Sequence, residues 1–173
     1  MIRHLSFAAI GLLATTPAIA QELPTRKAGL WEMKLGAGMG GSGQAIQHCT
    51  DAATDKALNA SALAAGEQEC AKRDIKKTAG GMTVDSTCTI SGRTVTTHME
   101  IVGSFDSAYT MKVSSEAGGP LPPGMPAQMT ITMEAKWLGP CKADQKPGDM
   151  IMPGGLKINV QNLRMPGGIP GAR

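Results

Sequence analysis

The nine residues Met129-Thr-Ile-Thr-Met-Glu-Ala-Lys-Trp137 constrain this chain more than any other stretch. Met129, Ile131, Met133, Ala135 and Trp137 fall on one side of an extended chain, and Thr130, Thr132, Glu134 and Lys136 on the other. Side chains of a strand alternate between the two faces of a sheet, so this is a strand with one face buried and one wet. Leu30–Leu35, Met82–Ile90, Thr94–Val102 and Ala108–Ser114 repeat the pattern, with turns expected at Ala79-Gly80-Gly81, Ser91-Gly92 and Gly103-Ser104. One helix is expected over Ala52 to Ala65, capped by Thr50 or Asp51 and stopped by Gly66. The fold class that follows is α+β and mainly β: a single antiparallel meandering sheet with one short helix packed on it.

The first twenty residues carry the marks of an export signal. Arg3 and His4 precede an apolar stretch, Leu5 to Ala14, and Ala18-Ile19-Ala20 offers the small side chains a signal peptidase needs, with Gln21 as the mature start. The apolar run is too short to span a bilayer, so no membrane span is expected, and with no cysteine at the cleavage point a lipid anchor is not expected. Removing 20 of the 173 residues leaves 153, the size of one domain. The expected organisation is a signal peptide over 1–20, a disulfide-bonded β-rich domain over 21–141, and a Met/Pro/Gly-rich tail over 142–173. The expected location is periplasmic.

All four cysteines, Cys49, Cys70, Cys88 and Cys141, lie beyond the signal. An even number in a small exported domain reads as two disulfides. The pairing Cys49–Cys70 with Cys88–Cys141 is favoured. The rival is Cys70–Cys88 across a hairpin with Cys49–Cys141. Either framework closes a long loop, a constraint of about 3 to 4 kcal/mol on the loop-entropy description. Zinc is disfavoured, because there is no C-x-x-C and the mature chain has only His48 and His98.

Several chemistries lack their residues. Seventeen basic side chains face fourteen acidic ones. The densest basic run, Lys72-Arg73-Asp74-Ile75-Lys76-Lys77, has no aromatic neighbours and reads as a solvated strand face, not a nucleic-acid surface. Gly36-Ala-Gly38-Met-Gly40-Gly41 matches a dinucleotide fingerprint in letters, but strand-like Gln44–His48 follows it where a helix N-terminus is required, so it reads as a hairpin loop. There is no G-x-S-x-G elbow, and a catalytic base would have to be His48 or His98. His98 stands at the polar phase of its strand and His48 adjoins a disulfide cysteine, a structural setting. No catalytic residue, cofactor or metal ligand is therefore assigned, and the chain reads as a non-enzyme.

The methionines divide into two groups. Met33, Met82, Met99, Met111, Met129 and Met133 sit at apolar strand phases, where a thioether fills gaps in a core poor in aromatic rings. Met39, Met125, Met150, Met152 and Met165 lie in Gly/Pro-rich sequence. M-P-G-G recurs at Met152–Gly155 and Met165–Gly168, and soft thioethers suit monovalent copper. Against that, Pro and Gly give the tail from Lys142 little to hold three ligands together, and a flexible tail with at most one short strand, over Leu156–Leu163, is expected.

Four features taken in order, K-A-G-L-W-E-M (Lys27 to Met33), Q-H-C-T (Gln47 to Thr50) ahead of the helix, Cys70 and Cys88 flanking a Gly-Gly turn, and W-L-G-P-C (Trp137 to Cys141), resemble a family of exported bacterial proteins, the domain-of-unknown-function family 3617. The resemblance covers Lys27 to Cys141 and implies a periplasmic location in a Gram-negative cell, with no established activity, ligand or catalytic residue. The tail lies outside it. The function expected is a non-enzymatic binding or envelope-associated domain whose partner is a small molecule or an envelope protein. Copper(I) binding by the tail methionines and a hydrolytic activity stand as alternatives.

Overall fold

The structure, a computed structural model, describes residues 23–36, 43–64, 69–90, 92–121, 124 and 126–162. The signal segment 1–20, the loop methionines Met39 and Met125, and the second M-P-G-G copy with Met165 lie outside the described residues.

Among the described residues nine strands form one antiparallel sheet: β1 Gly29–Leu35, β2 Ala45–Thr50, β3 Glu69–Thr78, β4 Gly81–Ile90, β5 Arg93–Ser104, β6 Ala108–Ala117, β7 Gln128–Gly139, β8 Asp149–Ile151 and β9 Lys157–Asn159. Their order is β3-β4-β5-β6-β7-β1-β2-β8-β9. From β3 to β7 the chain meanders, each strand pairing with the next. The β1–β2 hairpin then docks on the free side of β7 through pairs such as Met33↔Ala135. The strands on either side of the glycine-rich residues that imitate a nucleotide fingerprint, β1 and β2, pair antiparallel, and residues 37–41 themselves lie outside the described residues. Helix α1, Ala52–Ala64, lies between β2 and β3 where it is expected, and Ala65 and Gly66 lie outside the described residues. Asp51 is its cap: Oδ1 accepts the Thr54 N–H at 2.7 Å, and that bond holds the Asp51 carboxyl below its usual range.

The period-two pattern sorts side chains as expected. Trp31, Met82, Val84, Ile101, Tyr109 and Ala135 form the buried core on one face, which we call the inner face. Trp137 is only partly buried but packs against the same cluster as Trp31. On the outer face Asp85, His98, Glu100, Lys112, Glu134 and Lys136 alternate with threonines. The basic run of β3 lies on an edge strand, where lysines discourage pairing with another chain.

The methionines depart from expectation. Only Met82 is buried, at 4 % exposure; Met33, Met99, Met111 and Met133 are half-buried, and Met129 is 40 % exposed. A single sheet has an inner face wider than one strap and one helix can cover, so the core closes around Trp31 and Tyr109 and thins along β5, β6 and β7.

Two corrections concern the frame. The disulfides are Cys49–Cys141 and Cys70–Cys88, so the favoured pairing is wrong and its rival right. Cys70 and Cys88 stand opposite each other in the β3–β4 ladder, which puts their Cα atoms side by side. Cys49 is the next-to-last residue of β2 and Cys141 follows β7, and both strands flank β1. The second correction is the extent of the sheet. It does not stop near Cys141: β8 and β9 pair with each other, β8 pairs with β2 through Gln47↔Ile151 and His48↔Met150, and Val160–Asn162 adds a turn of 3-10 helix. The expected single element becomes two strands. The Gly/Pro punctuation makes the tight turns of a hairpin here. Asp149 braces it, accepting from Lys146 N–H at 2.9 Å and Asn159 Nδ2 at 2.8 Å.

Candidate functional site

Above the Trp31–Tyr109 end of the inner face, polar groups from three separate elements meet in a buried cluster. Arg26 comes from the strap Leu23–Ala28 that precedes β1. Asp55 comes from the first turn of α1, and His48 from β2. Arg26 Nε donates to Asp55 Oδ1 at 2.7 Å, Nη2 approaches the same oxygen at 2.6 Å, and the Arg26 backbone N–H donates to Oδ2 at 2.7 Å. Their side chains are 9 % and 1 % exposed. The guanidinium lies 5.7 Å from the centre of the Trp31 ring, and Nη1 points at the Met33 sulfur, 3.7 Å away. A buried ion pair needs its remaining donors and acceptors satisfied, and this one largely has them.

His48 is the third member. It is 1 % exposed, and its Nδ1 lies 3.1 Å from Arg26 Nη2. A guanidinium can only donate, so Nδ1 must present its lone pair, and the proton of the neutral ring sits on Nε2. Burial, aided by the Arg26 charge and opposed by Asp55, pushes the imidazole down to about 4, so the ring is neutral at pH 7. Among the described residues Nε2 has no hydrogen-bond partner. Burial also raises the Tyr109 phenol, which packs under the same cluster 5.8 Å from Trp31.

This tautomer bears on copper. Met150 of β8 stands opposite His48, and side chains at paired positions share a face. Yet with a proton on Nε2 and Arg26 occupying Nδ1, the imidazole has no lone pair to give a metal. Among the described residues no group of three or more His, Cys, Asp or Glu could hold a metal ion.

His98 is exposed on the outer face, as its strand phase requires. Its Nδ1 meets Asp85 Oδ1 at 2.7 Å, and that bond lowers the Asp85 carboxyl. Ser114 is its partner on β6, so Asp85, His98 and Ser114 follow one another across three strands. The resemblance to a hydrolytic triad ends there: the Ser114 hydroxyl pairs with Thr130 Oγ1 at 3.3 Å, and the row lies on an open sheet face. A shallow recess of about 300 Å³ also opens on this face, between Glu32, Lys34, Thr110, Glu134 and Lys136, with Lys34 bonded to Glu32 at 3.2 Å. Val102 and Ala108 also line it.

The inner face offers more. Beyond the cluster, Met99, Met111, Val113, Ile131 and Met133 form a half-buried apolar strip across β5, β6 and β7, with Met111 directly opposite Met133. At its far end stands a polar row, Arg73, Ser86, Thr97 and Ser115, on successive strands β3 to β6, and the Thr97 and Ser115 hydroxyls lie 3.3 Å apart. Sequence reasoning identified the methionines and set His48 in a structural position. It missed Arg26 and Asp55, whose only local signal is an acidic residue in the first turn of a helix.

Among curated proteins and among solved structures, none matches the chain. Among family descriptions one does, over a span that opens at Arg26, holds His48, Asp55 and all four cysteines, and closes before β8 and β9. Matching residues 26–141, the chain belongs to the family described as Protein of unknown function (DUF3617).

Proposed function

We propose that this is an exported, non-catalytic binding domain of the cell envelope that holds a single-chain amphiphile on the inner face of its sheet. The observation that carries the reading is the half-buried methionine strip. Unbranched, polarisable thioethers suit an apolar chain of no fixed shape better than they suit a rigid core. The strip runs from the aromatic end at Tyr109 to Ser115, about 20 Å at the rise of a strand. Its two ends differ in the way an amphiphile does: Trp31 and Tyr109 at one, and at the other the Arg73–Ser86–Thr97–Ser115 row, which suits a polar or acidic head group. Two disulfides and the signal-like residues 1–20 fit an oxidising compartment outside the cytoplasm, and no helix among the described residues is long and apolar enough to cross a membrane.

The experiment is native mass spectrometry of protein isolated from the periplasm without detergent, followed by titration with a fluorescent fatty acid. A retained lipid mass, and saturable binding lost in Met111→Asp, support the proposal. Clean apo protein that takes up no probe overturns it.

A further inference from the structure

Among the described side chains, polar groups fasten helix α1 to the strap and to the Val160–Asn162 turn. Thr54 and Asp55, at 2 % and 1 % exposure, are the buried ones among them. Asp55 binds Arg26, Thr54 Oγ1 accepts from Gln161 Nε2 at 3.3 Å, and Asn59 Nδ2 donates to Pro24 O at 3.4 Å. An apolar seal holds at any pH, whereas a seal of charges depends on which groups are protonated.

We propose that Arg26, Asp55 and His48 form an acid-released latch, which on protonation of His48 lets the strap and α1 lift from the aromatic end of the apolar strip. Its use, to release the bound amphiphile in acid, rests on the ligand reading above; the opening itself does not.

The chemistry is local. With His48 neutral, its Nδ1 lone pair receives the Arg26 Nη2 proton. Protonation replaces that lone pair with an N–H, so two donors and two positive charges face each other across 3.1 Å in a buried site. The titratable groups that bear on His48 are Arg26 from the strap and Asp55 from α1, and the Tyr109 phenol from β6 bears in turn on Arg26 and Asp55. Asp55 alone would favour the charged ring, but Arg26 already engages both of its oxygens. Asp149, on the β8 side, is turned to Lys146 and Asn159. The least expensive relief is to move Arg26, and Arg26 carries the strap and Asp55 with it. The unpartnered Nε2 adds to the tendency, since solvent would satisfy it in the open form. In the open form the ring regains its ordinary affinity for protons. The open-to-closed ratio therefore rises about tenfold per pH unit as pH falls from 6.5 towards about 4.

Hydrogen exchange of the oxidised, ligand-free protein between pH 7 and pH 4, corrected for the intrinsic pH dependence of exchange, tests this. Amides of α1 should lose protection about tenfold per unit below pH 6.5 and at each pH stay far less protected than those of β4, β5 and β6, which open only by global unfolding. His48→Gln keeps an oxygen that accepts from Arg26 and has no proton to gain, so its α1 should stay protected. Ring NMR of the wild type gives a second reading without a variant: the His48 titration and the α1 opening must share one midpoint. The latch is overturned if α1 and the central strands open together, if α1 protection is unchanged, if His48→Gln opens like the wild type, or if the two midpoints differ. None of these outcomes involves a lipid, so failure here leaves the ligand proposal standing, and loss of lipid binding leaves the latch standing.

Discussion

Arg26 and Asp55, twenty-nine positions apart in the chain, join the strap to α1 through a guanidinium, a backbone N–H and both carboxylate oxygens, all within 2.7 Å. Breaking a buried pair by removing one partner leaves the other charge uncompensated, a loss of about 3 to 5 kcal/mol. Asp55→Ala should therefore cost about that much in urea denaturation. The double change Arg26→Met with Asp55→Leu should recover much of it, because neither charge is left buried. A single Asp55→Ala cost below about 1 kcal/mol would show the pair to be solvated, as surface pairs are.

The neighbouring His48 gives a prediction in pH. Its folded form is held neutral, down to about 4, while the unfolded ring takes a proton near 6.5. Between those values the unfolded state binds more protons, so stability falls as the solution is acidified through that window and levels off below it. The total is about 3 kcal/mol on the linkage relation. Urea midpoints measured from pH 7 to pH 4 should show this decline, and His48→Gln should remove most of it. A midpoint that rises on acidification would contradict the neutral assignment.

Much of the frame can be read from residues close together in the chain, and the cluster cannot. Alternation along Met129–Trp137 puts Ala135 in the core and Glu134 outside, because a strand's two faces are set by its own pleat. The start of α1 follows from Asp51 and the alanines after it. Pairing is a different matter. Cys70–Cys88 and Cys49–Cys141 depend on which strands become neighbours, and spacing along the chain does not fix that. The β1–β2 hairpin settles it by docking on β7, which brings both ends of the second disulfide beside β1. Arg26, His48 and Asp55 meet for the same reason. The short β8 was hidden because its residues carry no alternation of their own and pair only after β2 offers an edge.

The disulfide frame itself makes a quantitative claim. Cys49–Cys141 joins residues 92 apart and Cys70–Cys88 residues 18 apart. On the loop-entropy description the longer closure restricts the unfolded chain more, by about 1.5 kcal/mol. Replacing Cys49 and Cys141 by serine should destabilise by about that much more than replacing Cys70 and Cys88. Non-reducing peptide maps of the wild type should show only these two linkages. A Cys49–Cys70 peptide in the map would refute the pairing directly.

Burial along the inner face predicts a ranking among methionines. Met82 is 4 % exposed in the core beside Ile101, whereas Met133 is half-buried on the strip. Met82→Ala should cost about 2 to 5 kcal/mol, the range for large-to-small changes in a packed core. Met133→Ala should cost clearly less, since part of its surface already meets solvent. Thr130→Ala on the outer face should stay within about 0.5 kcal/mol. Equal costs for Met82 and Met133 would mean that the strip is as tightly packed as the core, with no room for a ligand.

The last prediction concerns a glycine at the start of β1. Gly29 has φ +135°, a conformation that side chains rarely adopt, and a Cβ there would lie 2.5 Å from Trp137 Nε1 and closer still to the Gly139 carbonyl oxygen. The space is taken because β1 and β7 shift register between Leu30 and Trp31, which brings the Trp137 ring over the strap. There its Nε1 donates to Ala28 O at 3.1 Å, and Lys27 Nζ sits 3.8 Å above the ring centre. Gly29→Ala must displace backbone or the indole, and adds the cost of a strained φ, of order 1 to 3 kcal/mol on its own. The indole is the softer neighbour, so it should move first and take the Lys27 contact with it. Tryptophan fluorescence of Gly29→Ala should therefore shift to the red, and its urea midpoint should fall well below that of Gly92→Ala, where a Cβ meets nothing within 4 Å and only the φ of +75° is strained. If Gly29→Ala and Gly92→Ala cost the same, the close approach of β7 to β1 is not what holds this corner.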